Sequence, residues 1–138
     1  MDEKDQAEIY DLYESVGWIA YTKNPDRLWQ AFANSQYMTE KNNQGEIVAL
    51  IRWVTDQATV VLIQDLLVHP DYQRKGLGKK LIQRALAEIK SYGQLQIEVL
   101  TDDEETTVSF YKSLGFRSVN DGGMISLIRD TRYCVSKK

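Results

Sequence analysis

One cysteine, two prolines and one histidine among 138 residues leave several kinds of protein out at once. A single thiol, Cys134, closes no intramolecular disulfide, so a reducing compartment, the cytoplasm, is the expected setting. His69 and Cys134 cannot assemble a zinc centre by themselves, and no metal is expected. His69 stands directly before Pro70 and reads as a turn residue. No apolar run reaches the length of a membrane span, and the polar, acidic Met1–Gln6 lacks the apolar core of a signal peptide, so neither insertion nor export is expected. Positive charge is not in excess either. With 17 Lys and Arg against 20 Asp and Glu the net charge is −3, which disfavours nucleic acid or an anionic membrane as the general partner.

What is present is the composition of an ordinary folded domain, 43% hydrophobic and 27% charged, long enough to bury a core without cross-links. One domain over residues 1–138 is expected, with 133–138 a loose tail. Ile9, Leu12, Tyr13 and Val16 recur at helical spacing from Ala7 to Val16, and Gly17 can end that helix. Asn24-Pro25-Asp26 reads as an N-cap followed by proline at the first helical position, opening a helix to about Ser35. Gln36–Thr39 and Glu46–Thr55 read as a hairpin about Asn42–Gly45. After Asp56-Gln57, Ala58–Val68 forms a long apolar strand expected to be covered on both faces. Gln64-Asp65 interrupts it, and must be hydrogen-bonded, bulged or facing a cleft.

Lys75–Tyr92 carries the clearest helical pattern, and Leu95–Leu100 follows as a strand. Thr101–Glu104 looks like a capping box before a helix to about Leu114. Phe116–Val119 and Met124–Arg129 are expected as two closing strands about Asn120–Gly123. This order describes an α/β (α+β) protein with a mixed, mostly antiparallel sheet flanked by helices.

The turn into the clearest helix carries the chemistry. In His69-Pro70-Asp71-Tyr72-Gln73-Arg74-Lys75-Gly76-Leu77-Gly78-Lys79-Lys80-Leu81, two glycines stand where helix N–H groups lack intrahelical partners and the dipole is positive. Arg74, Lys75, Lys79 and Lys80 add cationic charge, matching a pyrophosphate with an adjacent phosphate. Gly76-Leu77-Gly78-Lys79-Lys80-Leu81 has no third glycine for a dinucleotide fingerprint and no Gly-Lys-Ser/Thr for a P-loop.

Leu66 through Gly78 instead closely resembles the acetyl-coenzyme A signature of the GNAT superfamily of N-acetyltransferases, Gln/Arg-x-x-Gly-x-Gly/Ala after a strand ending in Val. The resemblance covers nearly the whole chain, to a subgroup with a reduced first strand that includes relatives acting on arylalkylamines. It implies the GNAT fold, acetyl-CoA as cosubstrate and direct acetyl transfer to an amine without a covalent enzyme intermediate. Main-chain groups of Leu66, Leu67 and Val68 would grip the pantetheine arm and polarise the thioester carbonyl. Gln73, Arg74, Lys75, Gly76, Leu77, Gly78 and Lys79 would bind the pyrophosphate. Tyr13, Trp18, Tyr21 and Trp29 become candidates for acceptor contact, and are equally well placed to be core.

Phe110-Tyr111-Lys112-Ser113-Leu114-Gly115-Phe116 looks like the family's Phe-Tyr-x-x-x-Gly-Phe element, which gives Tyr111 the leaving thiolate. Its phenol, protonated at neutral pH, can hydrogen-bond or protonate that sulfur. The family's asparagine seven residues earlier is Glu104 here, whose charge would repel a pyrophosphate. Two carboxylates in apolar strands, Asp65 and Glu98, are the candidate bases for the ammonium proton, acting through a water chain; either is equally open to being a solvated or structurally paired carboxylate. The acceptor implied is a small amine such as an arylalkylamine or polyamine; a protein N-terminus or lysine is the alternative. A catalytically silent acyl-CoA sensor of the same fold and, outside the family, a polyanion-binding module also stay open. The family's members are often dimers, so a homodimer is a further expectation by resemblance.

Overall fold

The computed structural model describes residues 1–132, so Cys134 and the expected loose tail 133–138 lie outside the described residues. The chain divides into two compact units, Met1–Leu100 and a second from Thr101 onward.

In the first unit, α1 (Glu3–Ser15) starts before the expected Ala7 because Asp2 caps it, its carboxylate accepting from the Asp5 amide at 2.8 Å. Gly17, at φ +80°, takes the left-handed conformation that ends it. A single turn that the sequence pattern does not announce, α2 (Ile19–Thr22), is tied back to α1 by the Thr22 hydroxyl donating to Glu14. α3 (Pro25–Ala33) opens as expected, with Asn24 accepting from the Arg27 amide and Pro25 in the first turn.

Four strands follow in the spatial order β1 (Gln36–Lys41), β2 (Ile47–Thr55), β3 (Val60–Val68) and β4 (Gln96–Val99). The first three pair antiparallel, and β4 runs parallel to β3 after the crossover helix α4 (Leu77–Lys90), giving the expected mixed sheet. The strand buried at every position is β2, from Ile47 to Trp53. β3 alternates buried and half-buried residues after an exposed Val60, so its expected cover on both faces, by α1 and by α4, is present but less complete than that of β2.

Ile9, Leu12 and Tyr13 of α1, Leu28 and Phe32 of α3, and Ile47, Leu50 and Leu67 of the sheet form one core cluster. α4 packs on β1, β2 and β3 and buries Leu81, Ile82, Ala85 and Ile89. Each fully buried Leu or Ile contributes roughly 1.5–3 kcal/mol. Lys80 and Arg84 on α4 both pair with Glu40 of β1, at 3.2 and 2.6 Å. Lys80 is therefore drawn to the sheet edge and away from the group of cations expected at the loop.

The second unit contains α5 (Glu105–Ser113) and a 3-10 turn at Val119–Gly122. The capping box does not form: Glu104 occupies the N-cap position but makes no side-chain cap. The expected closing strands Phe116–Val119 and Met124–Arg129 are likewise absent. Backbone groups between Phe116 and Met124 bond locally instead. The Phe116 amide bonds to Tyr111 O, Asp121 to Ser118 O, Gly123 to Asn120 O and Met124 to Val119 O, so Asn120–Gly123 turns the chain without pairing two strands.

Candidate cofactor and acceptor site

β3 outruns its parallel neighbour. Pairing with β4 covers Val60–Ile63 against Gln96–Val99 and stops, so from Gln64 to Val68 no strand lies on that flank among the described residues. On the other side β3 stays paired with β2, and the His69 amide reaches Val48 O at 2.8 Å. Strand alternation then turns the main-chain groups of Leu66 and Val68 toward the open flank. The Val68 carbonyl is taken by Gln73 Nε2 at 3.0 Å, while Leu67 points its side chain into the core. An extended ligand can add to this flank as a strand adds to a sheet edge.

The loop that follows is built by its own side chains. His69 Nδ1 accepts from the Asp71 amide and starts a 3-10 turn, Pro70–Tyr72, which supports its reading as a turn residue. The Tyr72 hydroxyl lies 3.0 Å from Asn42 Nδ2, and Lys75 Nζ sits 5.5 Å from the Tyr72 ring centroid, so the β1–β2 turn braces the loop. Arg74 and Gly76 both adopt left-handed backbone, φ +64° and +81°, and Gly76 then caps α4 ahead of Leu77. Arg74 and Lys79 are exposed and make no ion pair among the described residues.

Gly78 is the informative glycine. It is helical, and a Cβ there would meet only Val68 Cγ2, at the ordinary distance of 3.8 Å. Packing does not require glycine at this position, and glycine costs about 0.5–1 kcal/mol in a helix. A small residue here leaves the helix amides accessible, and the open flank, the exposed cations and this bare turn together fit a pyrophosphate with an extended arm.

On the other face Asp65 lies at 2% exposure. Its Oδ2 accepts from Arg52 Nε and from the Tyr13 hydroxyl, both at 2.7 Å, and its Oδ1 accepts from the Tyr21 hydroxyl at 3.2 Å. Burial, and then the Asp65 charge, push the Tyr13 phenol far above its ordinary pKa. Arg52 also donates to Ser35 Oγ at 2.9 Å and lies over the Phe32 ring. The pair depends on a register step. Trp53 faces Ile63 but Arg52 faces Asp65, so Gln64 is the extra, bulged residue. Gln64-Asp65 is thus both bulged and hydrogen-bonded. Trp18, at 38% exposure, and Tyr21 pack beside Tyr13, with ring centroids 6.2 and 5.2 Å from it. Trp29 packs on Phe32, whose ring centroid lies 6.3 Å from that of Tyr13.

Arg52 is the residue that sequence reasoning missed. A lone charge inside Ile47–Val54 was a signal, but a regular hairpin would have set it opposite Gln64. Glu98 is half-buried on β4 opposite Leu62, 3.4 Å from Gln96 Nε2. In the second unit Tyr111 is buried between Phe110 and Phe116, and burial pushes its phenol up to about 12. Among the described residues, no group of His, Cys, Asp and Glu could hold a metal ion, and no helix is long and apolar enough to cross a membrane.

Residues 33–118 match the profile of the acetyltransferase (GNAT) domain. The chain is 33% identical over 121 residues to an uncharacterized N-acetyltransferase ycf52 of Pyropia yezoensis, covering 83% of this chain and 66% of that protein. It is 28% identical over 127 residues to histone acetyltransferase TAP1 of Glycine max, with 83% of this chain and 54% of that protein covered. It therefore spans about half to two thirds of the length of these relatives. Among solved structures it resembles the GNAT family protein SP0256 of Streptococcus pneumoniae, with a TM-score of 0.76, 33% identity, and 92% and 91% of the two chains covered. A family profile spanning more than half of the chain and a solved relative of nearly the same extent lead to one conclusion: this chain belongs to the GNAT acetyltransferase family.

Proposed function

We propose that the protein is an acetyl-CoA-dependent N-acetyltransferase acting on a primary amine of a small molecule, and that it works in the cytoplasm. The observation that carries this is the open flank of β3 running directly into the bare Gly76-Leu77-Gly78 turn. Acetyl-CoA supplies an activated thioester. Main-chain groups of Leu66 and Val68 hold the extended arm, with Leu67 anchoring the strand in the core. Gln73 fixes the loop by binding Val68, and the amides from Gly76 to Gly78, with Arg74, Lys75 and Lys79, take the pyrophosphate.

Tyr111 is assigned by its motif to the sulfur. At a pKa near 12 its phenol lies about 3.5 units above a simple thiol, so complete proton transfer to the thiolate is uphill by about 5 kcal/mol. Its contribution is therefore a hydrogen bond that strengthens as charge develops on sulfur. Glu98 is the carboxylate proposed to take the ammonium proton, directly or through water. Asp65, engaged by Arg52 and two phenols, acts through its neighbours.

The likeness to a protein named a histone acetyltransferase favours a second reading, in which the amine belongs to a protein. Thiol release from acetyl-CoA, followed across arylalkylamines, polyamines, amino acids and lysine peptides, separates the two. Turnover of the small amines supports the proposal, and turnover confined to peptides supports the second reading. Stabilisation by the cofactor without any turnover refutes both in favour of a sensor.

A further inference from the structure

The direction of the Tyr21 hydroxyl carries one more step, which rests on the function proposed above. A phenol has one O–H to give and two lone pairs to accept with. Tyr21 spends its O–H on Asp65 Oδ1 at 3.2 Å. That choice is forced, because the Asp65 carboxylate, paired with Arg52 at 2.7 Å, only accepts. One Tyr21 lone pair faces Gln64 Nε2, at the long distance of 3.4 Å. The other is left for a donor, and the phenol has no proton with which to greet an acceptor.

This polarised oxygen belongs to a half-buried ring beside the exposed indole of Trp18, whose centroid is 6.3 Å from that of Tyr21. It also touches Gln64, the bulge residue from which the open flank of β3 begins. Aromatic faces attract an ammonium and cover an apolar body, and a lone pair beside them selects an N–H.

We infer that Tyr21 is the residue that recognises the acceptor, taking a hydrogen bond from the N–H of a primary ammonium whose apolar body lies on Trp18. Asp65 is then a positioning residue. Held by Arg52 and Tyr13, it keeps the Tyr21 proton turned inward and the oxygen open to the substrate. The same arrangement rejects a carboxylate or phosphate at this point, since neither can donate when ionised.

The test uses the full chain loaded with coenzyme A and two probes, phenethylammonium and phenethyltrimethylammonium, which share a body and a charge but differ in having an N–H. Binding is read by calorimetry for the wild type, Tyr21→Phe and Trp18→Leu. Tyr21→Phe is expected to weaken phenethylammonium about tenfold, the loss of one hydrogen bond to a charged group, while moving the trimethyl compound less than about twofold. Trp18→Leu weakens both. Equal losses for both probes in Tyr21→Phe, loss of neither, or failure of the wild type to bind phenethylammonium would overturn the inference. Coenzyme A affinity is measured separately in the same proteins. Its absence in the wild type refutes the acetyltransferase reading itself, whereas its persistence without amine selectivity refutes only the role of Tyr21.

Discussion

Replacing Gly78 offers a perturbation whose effects on folding and on binding have opposite signs. The residue lies in the first turn of α4 with helical backbone, and a Cβ meets only Val68 Cγ2 at 3.8 Å, an ordinary contact, so the first carbon of a side chain strains nothing within the protein. Gly78→Ala and Gly78→Leu both remove the entropic cost of glycine in a helix and should stabilise the fold by about 0.5–1 kcal/mol, a rise of a few degrees in Tm. The ligand sees these variants differently. Alanine adds one methyl group, which the Gln/Arg-x-x-Gly-x-Gly/Ala pattern tolerates, and acetyl-CoA affinity should stay within about threefold of wild type. Leucine projects its branch where the pyrophosphate would approach the helix amides. Losing one charge-assisted hydrogen bond there costs about 1.5–3 kcal/mol, or roughly a ten- to hundredfold rise in Kd. Calorimetric titration with acetyl-CoA, alongside thermal melts without ligand, reads both effects. A leucine variant that is more stable than wild type and binds acetyl-CoA equally well would refute the reasoning that this turn is bare for a ligand.

The other expectations concern charge and protons. Arg52→Met strands the Asp65 carboxylate in the core and should cost about 3–5 kcal/mol in a urea melt. Arg52→Met with Asp65→Leu should recover most of that, and equal destabilisation of the single and double variants would contradict an unpaired buried charge as the cause. Because burial raises the Tyr111 phenol from 10.0 to about 12, its contribution to stability is complete below pH 10 and is lost as the pH climbs through the folded value. Tyr111→Phe should remove that alkaline loss and lower kcat about tenfold or more while leaving the acceptor KM unchanged; unaltered kcat would end its role at sulfur. Glu98→Gln should reduce kcat by about a hundredfold, and an unaltered kcat would point to another base.

The sequence by itself determined the elements whose rules are local. Asn24-Pro25 places the start of α3, Gly17 the end of α1, and the apolar spacing from Leu77 to Ile89 the helix α4, because caps, left-handed glycines and 3.6-residue periodicity act within a few residues. The glycine turn was legible for the same reason, and even the trouble at Gln64-Asp65 showed as polarity inside an apolar strand. Tertiary structure alone decided how that trouble is resolved. Only a one-residue step in the β2–β3 register sets Arg52 against Asp65, and only the folding of α1 and α2 onto that face brings Tyr13 and Tyr21 to the same carboxylate. Lys80 looked like part of the cationic turn until Glu40, on a strand distant in sequence, drew it away. Met124–Arg129 had the residues of a strand, but strand pairing is a relation between segments, and the chain around Ser118–Met124 satisfied its hydrogen bonds nearby. Propensity acts along the chain, whereas register, partner choice and the direction of a buried proton are set by whichever distant groups compete for the same atoms.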